Sequence, residues 1–299
     1  SALVQGIHYY KSENEKNSIG LTAYDLAGYT PNDIEFVAAF DVSNSKVGLD
    51  LSEAIFSPPN NAIKISDVTN LGVKVNKGKV LDGVGKHLAE KITLSDNETS
   101  NISQILEDSQ ADVLVNYLPV GSRAATQFYA EQCLAAGVSF INATPVFIAS
   151  EAKWQQSIKE KNLLCAGDDI MSPVGAPIVH KTLVKLFIDR GVKVDDTYQL
   201  NIGGDMDFYN MLDADRLEDK RISKTSAVKA MSPYAIPMRI GPSDFVESLN
   251  NDKVCYINIR GKKFGHIPIE LDLKLRVADA YNSGGIMIDA IRATKIGLD

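Results

Sequence analysis

The chain has 299 residues, and its 44% hydrophobic and 23% charged content is ordinary for globular proteins large enough to form two domains. A formal net charge of -7 argues against nucleic-acid binding, which needs a basic face. No apolar run approaches the roughly 20 residues of a membrane helix, and the sequence lacks a signal-peptide pattern at its start. Composition therefore predicts a cytoplasmic protein with neither nucleic acid nor membrane as a partner.

Short apolar runs alternate with amphipathic segments in the first half, which is typical of parallel strands connected by helices. Ser122 and Gly137 predict the two ends of one helix, because serine favours the N-terminal cap and glycine the C-terminal cap. The predicted strands cover residues 35–41, 112–116, 138–142 and 163–167, and the predicted helices cover residues 122–136 and 151–161.

The pattern changes after Ser172. Residues 174–190 have the apolar stripe of a helix, and apolar residues alternate with polar ones over 267–277, which predicts a strand with one exposed face. Further strands are predicted over 198–202 and 254–259, and a last helix over 285–298.

The predicted fold class is α/β, a Rossmann-like doubly wound parallel sheet with an inserted α+β domain that has a mainly antiparallel sheet. The nucleotide-binding domain would comprise residues 1–172 and 277–299, and the inserted domain residues 173–276. In such a sheet, ligands bind at the carboxyl ends of the strands.

Polar residues follow three predicted strands at that edge. Asp41 could accept hydrogen bonds from the adenosine ribose of a dinucleotide and repel the 2′-phosphate of NADP, or it could be an ordinary turn aspartate. Asn116 and Asn142 are open to the same two interpretations, and taken singly each is more commonly a structural Asx-turn.

Two loops predict ligand contacts. The loop with Asp168, Asp169, Ser172 and Gly175 precedes a helix whose free amides would favour a phosphate, and its paired acids would allow a divalent cation or only cap the turn. The loop Gly203-Gly-Asp-Met-Asp207 permits close backbone approach to a ligand.

Lys220 and Lys224 are four residues apart, so a helix would place them on one face. Two neighbouring ammonium groups repel unless an anion lies between them, and crowding lowers the pKa of a lysine toward the range useful for proton transfer. A solvated basic helix face is the commoner explanation of such a pair. A phosphorylated sugar is the anion that would favour the functional interpretation.

Together these segments resemble the inositol-1-phosphate synthases of the short, prokaryotic kind. The resemblance rests on Lys220-Arg-Ile-Ser-Lys-Thr225 and Asn282-Ser-Gly-Gly, with their order and spacing kept across the chain. Further matching segments are residues 37–41, 50–60, 81–85, 115–122, 145–149, 167–170, 206–212 and 240–244.

The resemblance implies an NAD-dependent, redox-neutral isomerase. It would oxidise glucose 6-phosphate at C5, enolise it, close the ring by an intramolecular aldol reaction and reduce the ketone again. The family also implies a homotetramer assembled through the second domain's sheet. The alternatives are a sugar-phosphate dehydrogenase that does not cyclise its substrate and a non-catalytic NAD or phosphosugar sensor. A divalent cation or a monovalent activator is left open.

The family match also implies roles for particular residues. The catalytic group would be Lys220, Lys224, Lys253 and Asp279. The substrate-binding group would be Ser172, Gly175, Asp207 and Asp169. The cofactor-binding group would be Asp41, Asn116, Tyr117, Pro119, Gly121, Asn142, Asp168 and Asp205.

This sequence departs from the family pattern at Met171, where a lysine is expected, and at Asp205, where an asparagine is expected. The family's first strand and glycine-rich loop would precede Ser1, and a segment with another active-site lysine would follow Asp299. We therefore expect the sequence to be a fragment of a longer protein.

Overall fold

The computed structural model describes residues 1–12 and 18–299, without the side chains of residues 12, 214, 218–221, 223, 224, 242 and 243. Its helices are α1 (Ala2–Ser12), α2 (Leu51–Ala54), α3 (Ile102–Asp108), α4 (Arg123–Ala136), α5 (Ala152–Glu160), α6 (Ala176–Asp189), α7 (Met206–Asn210), α8 (Glu218–Lys229) and α9 (Asp279–Leu298). Its strands are β1 (Ala39–Asp41), β2 (Val75–Lys77), β3 (Val113–Asn116), β4 (Ser139–Asn142), β5 (Cys165–Ala166), β6 (Lys193–Gly203), β7 (Met238–Phe245), β8 (Asp252–Lys262) and β9 (Pro268–Ala278).

The first half forms parallel sheets, as predicted. β1 pairs with β2, and β3, β4 and β5 form a second sheet in that order. β1 begins at Ala39 rather than at residue 35, because only residues 39–41 find partners on β2. The register places Asn116 beside Asn142, so the polar ends of β3 and β4 lie together.

Helix α4 has the predicted bounds but a different cap. It runs from Arg123 to Ala136, and Gly137 follows it in the left-handed conformation, with φ of 71°. Ser122 occupies the N-cap position without a side-chain capping bond. Asp82 supplies the cap from a distant loop, because its carboxylate accepts the N–H groups of Ala124 and Ala125.

The second half is built on a mixed sheet of order β7-β6-β8-β9, in which β6 and β7 are parallel and the other two pairs are antiparallel. Helices α6 and α8 cover one face, where Val184, Val228 and Ile257 are buried. Burial alternates along β9 from Pro268 to Val277, which confirms a strand with one exposed face. The fold class is therefore confirmed, whereas the domain boundaries stay a prediction, and residue 276 lies within β9.

His180 on α6 belongs to the packing of this second half. Its ring nitrogens hydrogen-bond Gln199 at 3.2 Å and Thr197 at 2.7 Å, and the side chain is fully buried. Burial lowers the pKa of His180 to about 4, although the contact with Gln199 raises it. The residue is therefore neutral at physiological pH and joins α6 to β6.

Helix α9 begins at Asp279, six residues before the predicted start, and it continues through the two glycines of Asn282-Ser-Gly-Gly. Asn251 closes its first turn, because the backbone carbonyl and side-chain oxygen of Asn251 accept the N–H groups of Asp279 and Ala280. The glycines are tolerated because one of them allows close packing. A Cβ on Gly285 would lie 1.9 Å from the carbonyl oxygen of Gly20.

Replacing Gly285 with alanine should destabilise the protein by about 1–3 kcal/mol, because the new methyl group would force α9 away from the backbone at Gly20. The neighbouring Gly284→Ala is the matched control, since its Cβ would meet Ala2 only at an ordinary 3.9 Å. Alanine there should be neutral or stabilising by about 0.5–1 kcal/mol. Urea unfolding of both variants checks this, and equal effects would contradict the proposed packing.

Among the described residues, no helix is both long and apolar enough to cross a membrane.

Candidate functional site

A cleft of about 660 Å³ lies between the parallel sheets and the mixed sheet. One wall consists of the loops that follow β1, β3 and β4, and the opposite wall includes the N-terminus of α6, the start of α7 and the ends of β8 and β9. Cavities of roughly 300–1,000 Å³ are usual for small-molecule sites. The cleft thus lies where the sequence predicts ligand binding.

Lys253 and Asp279 form an ion pair in this cleft. The Lys253 ammonium donates to Asp279 Oδ1 at 2.9 Å, and the two side chains are only 19% and 22% exposed. The same ammonium lies 5.6 Å from the centre of the Phe208 ring. Burial lowers the pKa of Lys253, but Asp279, Asp205 and Asp207 raise it by a larger amount. The net pKa lies above the usual value for lysine, so the group remains protonated.

Asp205 and Asp207 lie beside this pair, on the wall formed by the start of α7. Asp205 is the N-cap of α7, where its Oδ1 accepts the N–H groups of Asp207 at 2.9 Å and Phe208 at 3.1 Å. Burial, Asp207 and Asp279 raise the pKa of Asp205 to about 7. The cleft thus contains a carboxyl that titrates near neutral pH next to a permanent cation.

Ser172 and Gly175 lie on the cleft wall at the N-terminus of α6. Gly175 is the N-cap of this helix, and a Cβ there would lie 3.3 Å from the Ser172 Cβ. Asn282 on α9 fixes the loop, because its side-chain amide donates to the carbonyl oxygen of Val174 at 2.9 Å. Ala176 thus brings the first backbone N–H of α6 to the cleft wall, as the phosphate-site prediction requires, whereas Pro177 next to it has no N–H.

Lys220 and Lys224 lie on α8, but their side chains are outside the described part of the structure. Ala227 of the same helix lines the cleft. Helical spacing of three and seven residues places backbone positions 224 and 220 on the same side of α8 as Ala227. Their predicted catalytic role stays a prediction.

Asp41 lies at the carboxyl end of β1, beside the cleft-lining residues Ser43 and Lys46. Its Oδ1 accepts the N–H groups of Val42 and Ser43, which is the turn geometry of the alternative interpretation. Its Oδ2 pairs with Lys46 at 3.1 Å. Lys46 offsets part of the charge with which Asp41 would repel a 2′-phosphate, and the preference for NAD over NADP stays a prediction.

Asn116 and Asn142 form a buried network at the ends of β3 and β4. The Asn116 amide donates to Asn142 Oδ1 at 2.9 Å, and each side-chain oxygen also accepts the N–H of the residue two positions later. These are the Asx-turns of the structural interpretation. Asp168 joins the network by accepting from Asn142 and from residues 148–150. The three side chains shape the edge of the sheet, and their direct contact with a cofactor stays a prediction.

The loop of Tyr117, Pro119 and Gly121 follows β3, and Arg216 fixes its far end. The Arg216 guanidinium donates to the carbonyl oxygens of Val120 at 2.9 Å and Asp82 at 2.8 Å. Tyr117 and Pro119 line the cleft, whereas Gly121, with φ of 86°, lies against Arg216. Sequence reasoning missed Arg216, since only the fold brings it to a loop about ninety residues earlier.

Asp169 lines the cleft next to Asp168, and its backbone N–H donates to the carbonyl oxygen of Thr144 at 3.0 Å. Met171 lines the same wall and is 37% exposed. Within residues 1–12 and 18–299, no group of three or more His, Cys, Asp or Glu side chains is arranged to hold a metal ion. The divalent cation that the sequence left open stays a prediction.

Parallel strands that end at a cleft, faced by an inserted mixed sheet with a buried lysine, define an enzyme of the Rossmann-like class. Comparison with known proteins narrows this class. The family model for myo-inositol-1-phosphate synthase matches residues 175–280. The inositol-3-phosphate synthase of Mycolicibacterium smegmatis is 48% identical over 307 residues, covering 100% of this chain and 85% of the relative.

The inositol-3-phosphate synthase of Corynebacterium glutamicum is 46% identical and covers the same shares, 100% and 85%. The crystal structure of a myo-inositol-1-phosphate synthase-related protein from Thermotoga maritima superposes with a TM-score of 0.81 at 27% identity, covering 100% of this chain and 84% of that one. The chain therefore belongs to the myo-inositol-1-phosphate synthase family.

Proposed function

We propose that this chain is an inositol-3-phosphate synthase that converts glucose 6-phosphate into an inositol phosphate, with NAD as its cofactor. The supporting observation is the Lys253–Asp279 pair in the cleft of a chain that is 48% identical to the M. smegmatis enzyme along its whole length. The reaction leaves the substrate's overall oxidation state unchanged, so substrate and product are isomers.

The residues of the cleft fit a nicotinamide dinucleotide. Asp41 lies beside the cleft at the end of β1, where a ribose is held in Rossmann-like folds, and its Oδ2 also pairs with Lys46. Leu118 and Pro119 supply apolar wall for a flat ring. Asp41, Tyr117 and Pro119 would hold the cofactor. When bound, it supplies the acceptor and donor for a reversible hydride transfer at C5.

Lys253 stabilises negative charge that develops on a substrate oxygen during enolisation and ring closure. It is protonated and half-buried, so its charge acts in a partly water-shielded site, where a fixed cation is more effective than in bulk water. Asp279 orients the ammonium through the 2.9 Å hydrogen bond. Because the pKa of Lys253 is raised, its role is that of a cation and proton donor rather than a resting base. Lys220 and Lys224 would add further cations from α8.

The N-terminus of α6 binds the substrate phosphate. The first amides of a helix have no intrahelical partner, and the helix dipole favours an anion there. Ser172 adds a hydroxyl donor, and Gly175 leaves space for an oxygen to approach the backbone. Asn282 keeps the loop in place through Val174. Anchoring the phosphate at α6 would present the sugar carbons to Lys253.

The test is incubation of the protein with NAD and glucose 6-phosphate, followed by NMR of the products and absorbance of NADH. A synthase forms inositol phosphate with no net NADH. A sugar-phosphate dehydrogenase without cyclisation would accumulate NADH in proportion to an oxidised sugar. If a folded protein that still binds NADH formed neither product, the result would support the sensor alternative and contradict the synthase proposal.

We also propose that the enzyme is a cytoplasmic homotetramer assembled through the outer face of the mixed sheet. Tyr198 and Tyr256 lie on this face, 36% and 40% exposed, and aromatic residues are enriched at interfaces. Light scattering of the purified protein gives the mass in solution. A monomer at micromolar concentration would contradict the assembly.

A further inference from the structure

The two carboxyl oxygens of Asp205 have different surroundings. Oδ1 accepts two backbone N–H groups at the start of α7. Oδ2 is buried, and no group in the described part of the chain hydrogen-bonds to it. The residue is 8% exposed and lines the cleft. A buried acceptor left without a partner costs free energy, so Oδ2 of this cleft-lining residue is a candidate for a ligand contact.

The charges around Asp205 determine which ligand group fits. Asp207 on α7 and Asp279 on α9 disfavour a negative charge on Asp205, and Lys253 on β8 favours it. These are the charged groups that face Asp205 among the described side chains, and α8, with positions 220 and 224, borders the same cleft. Lys253 is already paired with Asp279 at 2.9 Å, so it compensates Asp205 only in part.

We propose that Asp205 binds ligand in its protonated form, donating a hydrogen bond from Oδ2–H to a neutral carbonyl or hydroxyl oxygen. The ionised carboxylate could only accept a hydrogen bond, and it would repel a carbonyl oxygen. Capping of α7 needs Oδ1 alone and continues in both states. The inference rests on the proposed function for the identity of the ligands, because the nicotinamide carboxamide and the sugar both offer such oxygens.

The consequence is a ligand affinity that falls as the pH rises. Burial and the neighbouring acids raise the pKa of Asp205 to about 7. Above that pH the free protein must take up a proton before it binds, which weakens binding about tenfold per pH unit. Below it, the donor is already in place and affinity no longer depends on this group.

Two variants separate the donor from the helix cap. Asp205→Asn keeps an oxygen for the N–H groups of Asp207 and Phe208 and offers an uncharged N–H donor at every pH. Serine in Asp205→Ser can also cap α7, but its single hydroxyl group cannot reach both the N–H groups of α7 and a ligand oxygen. NADH binding is measured by fluorescence from pH 6 to 8.5, and glucose 6-phosphate binding by calorimetry on the NADH-loaded protein, which cannot turn over.

The ratio of the wild-type Kd to the Asp205→Asn Kd cancels the titration of the ligand phosphates and of protein groups that Asp205 does not influence. We expect this ratio to be near one at pH 6 and about 10–30 at pH 8.5 for the ligand that contacts Asp205, whether that is NADH or glucose 6-phosphate. Asp205→Ser should bind that ligand about fivefold to tenfold more weakly than Asp205→Asn at each pH.

If the ratio changes by less than twofold between pH 6 and pH 8.5 for both NADH and glucose 6-phosphate, the inference is overturned. It is also overturned if Asp205→Ser binds both ligands as tightly as Asp205→Asn, because Oδ2 would then contact neither. Circular dichroism confirms that each variant is folded. Formation of inositol phosphate by the wild-type protein decides the proposed function separately, so a flat ratio with intact turnover removes only the role of Asp205.

Discussion

Replacing Lys253 with methionine is expected to reduce formation of inositol phosphate about 10²–10³-fold, because removal of one group that stabilises a developing oxyanion has effects of this size. Methionine keeps most of the length of the side chain but has no charge, so it also loses the cation–π contact with Phe208. Steady-state kcat measured by NMR gives the loss. NADH binding should change less than about threefold, because the predicted cofactor residues Tyr117 and Pro119 lie on the opposite wall of the cleft and only Asp205 lies beside Lys253.

Loss of the cation also affects folding, because Asp279 would lose its partner and Asp205 would face two acids without Lys253. The double variant Lys253→Met/Asp279→Asn separates the two effects. It should regain stability without regaining turnover. Lys263→Met, an exposed lysine after β8, is the control for a general change of charge and should keep full activity. Turnover above one third of wild type in folded Lys253→Met would remove Lys253 from the mechanism.

Sequence reasoning predicted the features that depend on local patterns. The alternation along β9 and the end of α4 at Gly137 are encoded within a few residues, and the structure confirms both, whereas Asp82 replaces the predicted side-chain cap at Ser122. Polar residues were predicted at the carboxyl ends of β3 and β4, which lie on the same edge of a parallel sheet. The register of Asn116 with Asn142 confirms this.

What the sequence could not predict depends on contacts between distant segments. The sequence predicted a last helix over residues 285–298, but Asn251 caps α9 at Asp279 and Gly285 packs on Gly20, so the helix begins earlier. The buried state of Asp205 likewise requires three elements to converge. Asp168 was predicted to contact the cofactor, but its carboxylate accepts hydrogen bonds from the backbone N–H groups of residues 148–150. Its position in the predicted loop gave no sign of these contacts.

Arg292 on α9 is a buried residue that holds the chain around residues 22–29 in place. It is 1% exposed, and its guanidinium donates to the carbonyl oxygens of Ala23, Tyr24 and Tyr29 and to Asp289 Oδ1 at 2.5 Å. Asp289 Oδ2 in turn accepts the N–H of Thr22 at 2.8 Å. These bonds hold the chain around residues 22–29 against α9, whose first turn contains Asp279.

Replacing Arg292 with methionine should lower the free energy of unfolding by about 3–5 kcal/mol, because it leaves Asp289 as a buried charge without its partner. Three carbonyl oxygens would lose a donor as well. Urea unfolding followed by circular dichroism measures the change. Lys295→Met is the matched control one turn later on α9, since Lys295 is 31% exposed and its ion pairs should contribute only about 0–1 kcal/mol.

The double variant Arg292→Met/Asp289→Asn shows whether the charge is the main cause. Asparagine still accepts the N–H of Thr22 but carries no charge, so the double variant should be more stable than Arg292→Met alone. If the single variant lost no more than Lys295→Met, the pair would not be buried in solution, and α9 would need another anchor. Folded Arg292→Met should keep kcat within about threefold, because Arg292 acts on the cleft only by holding α9, whereas Lys253 contributes its charge directly.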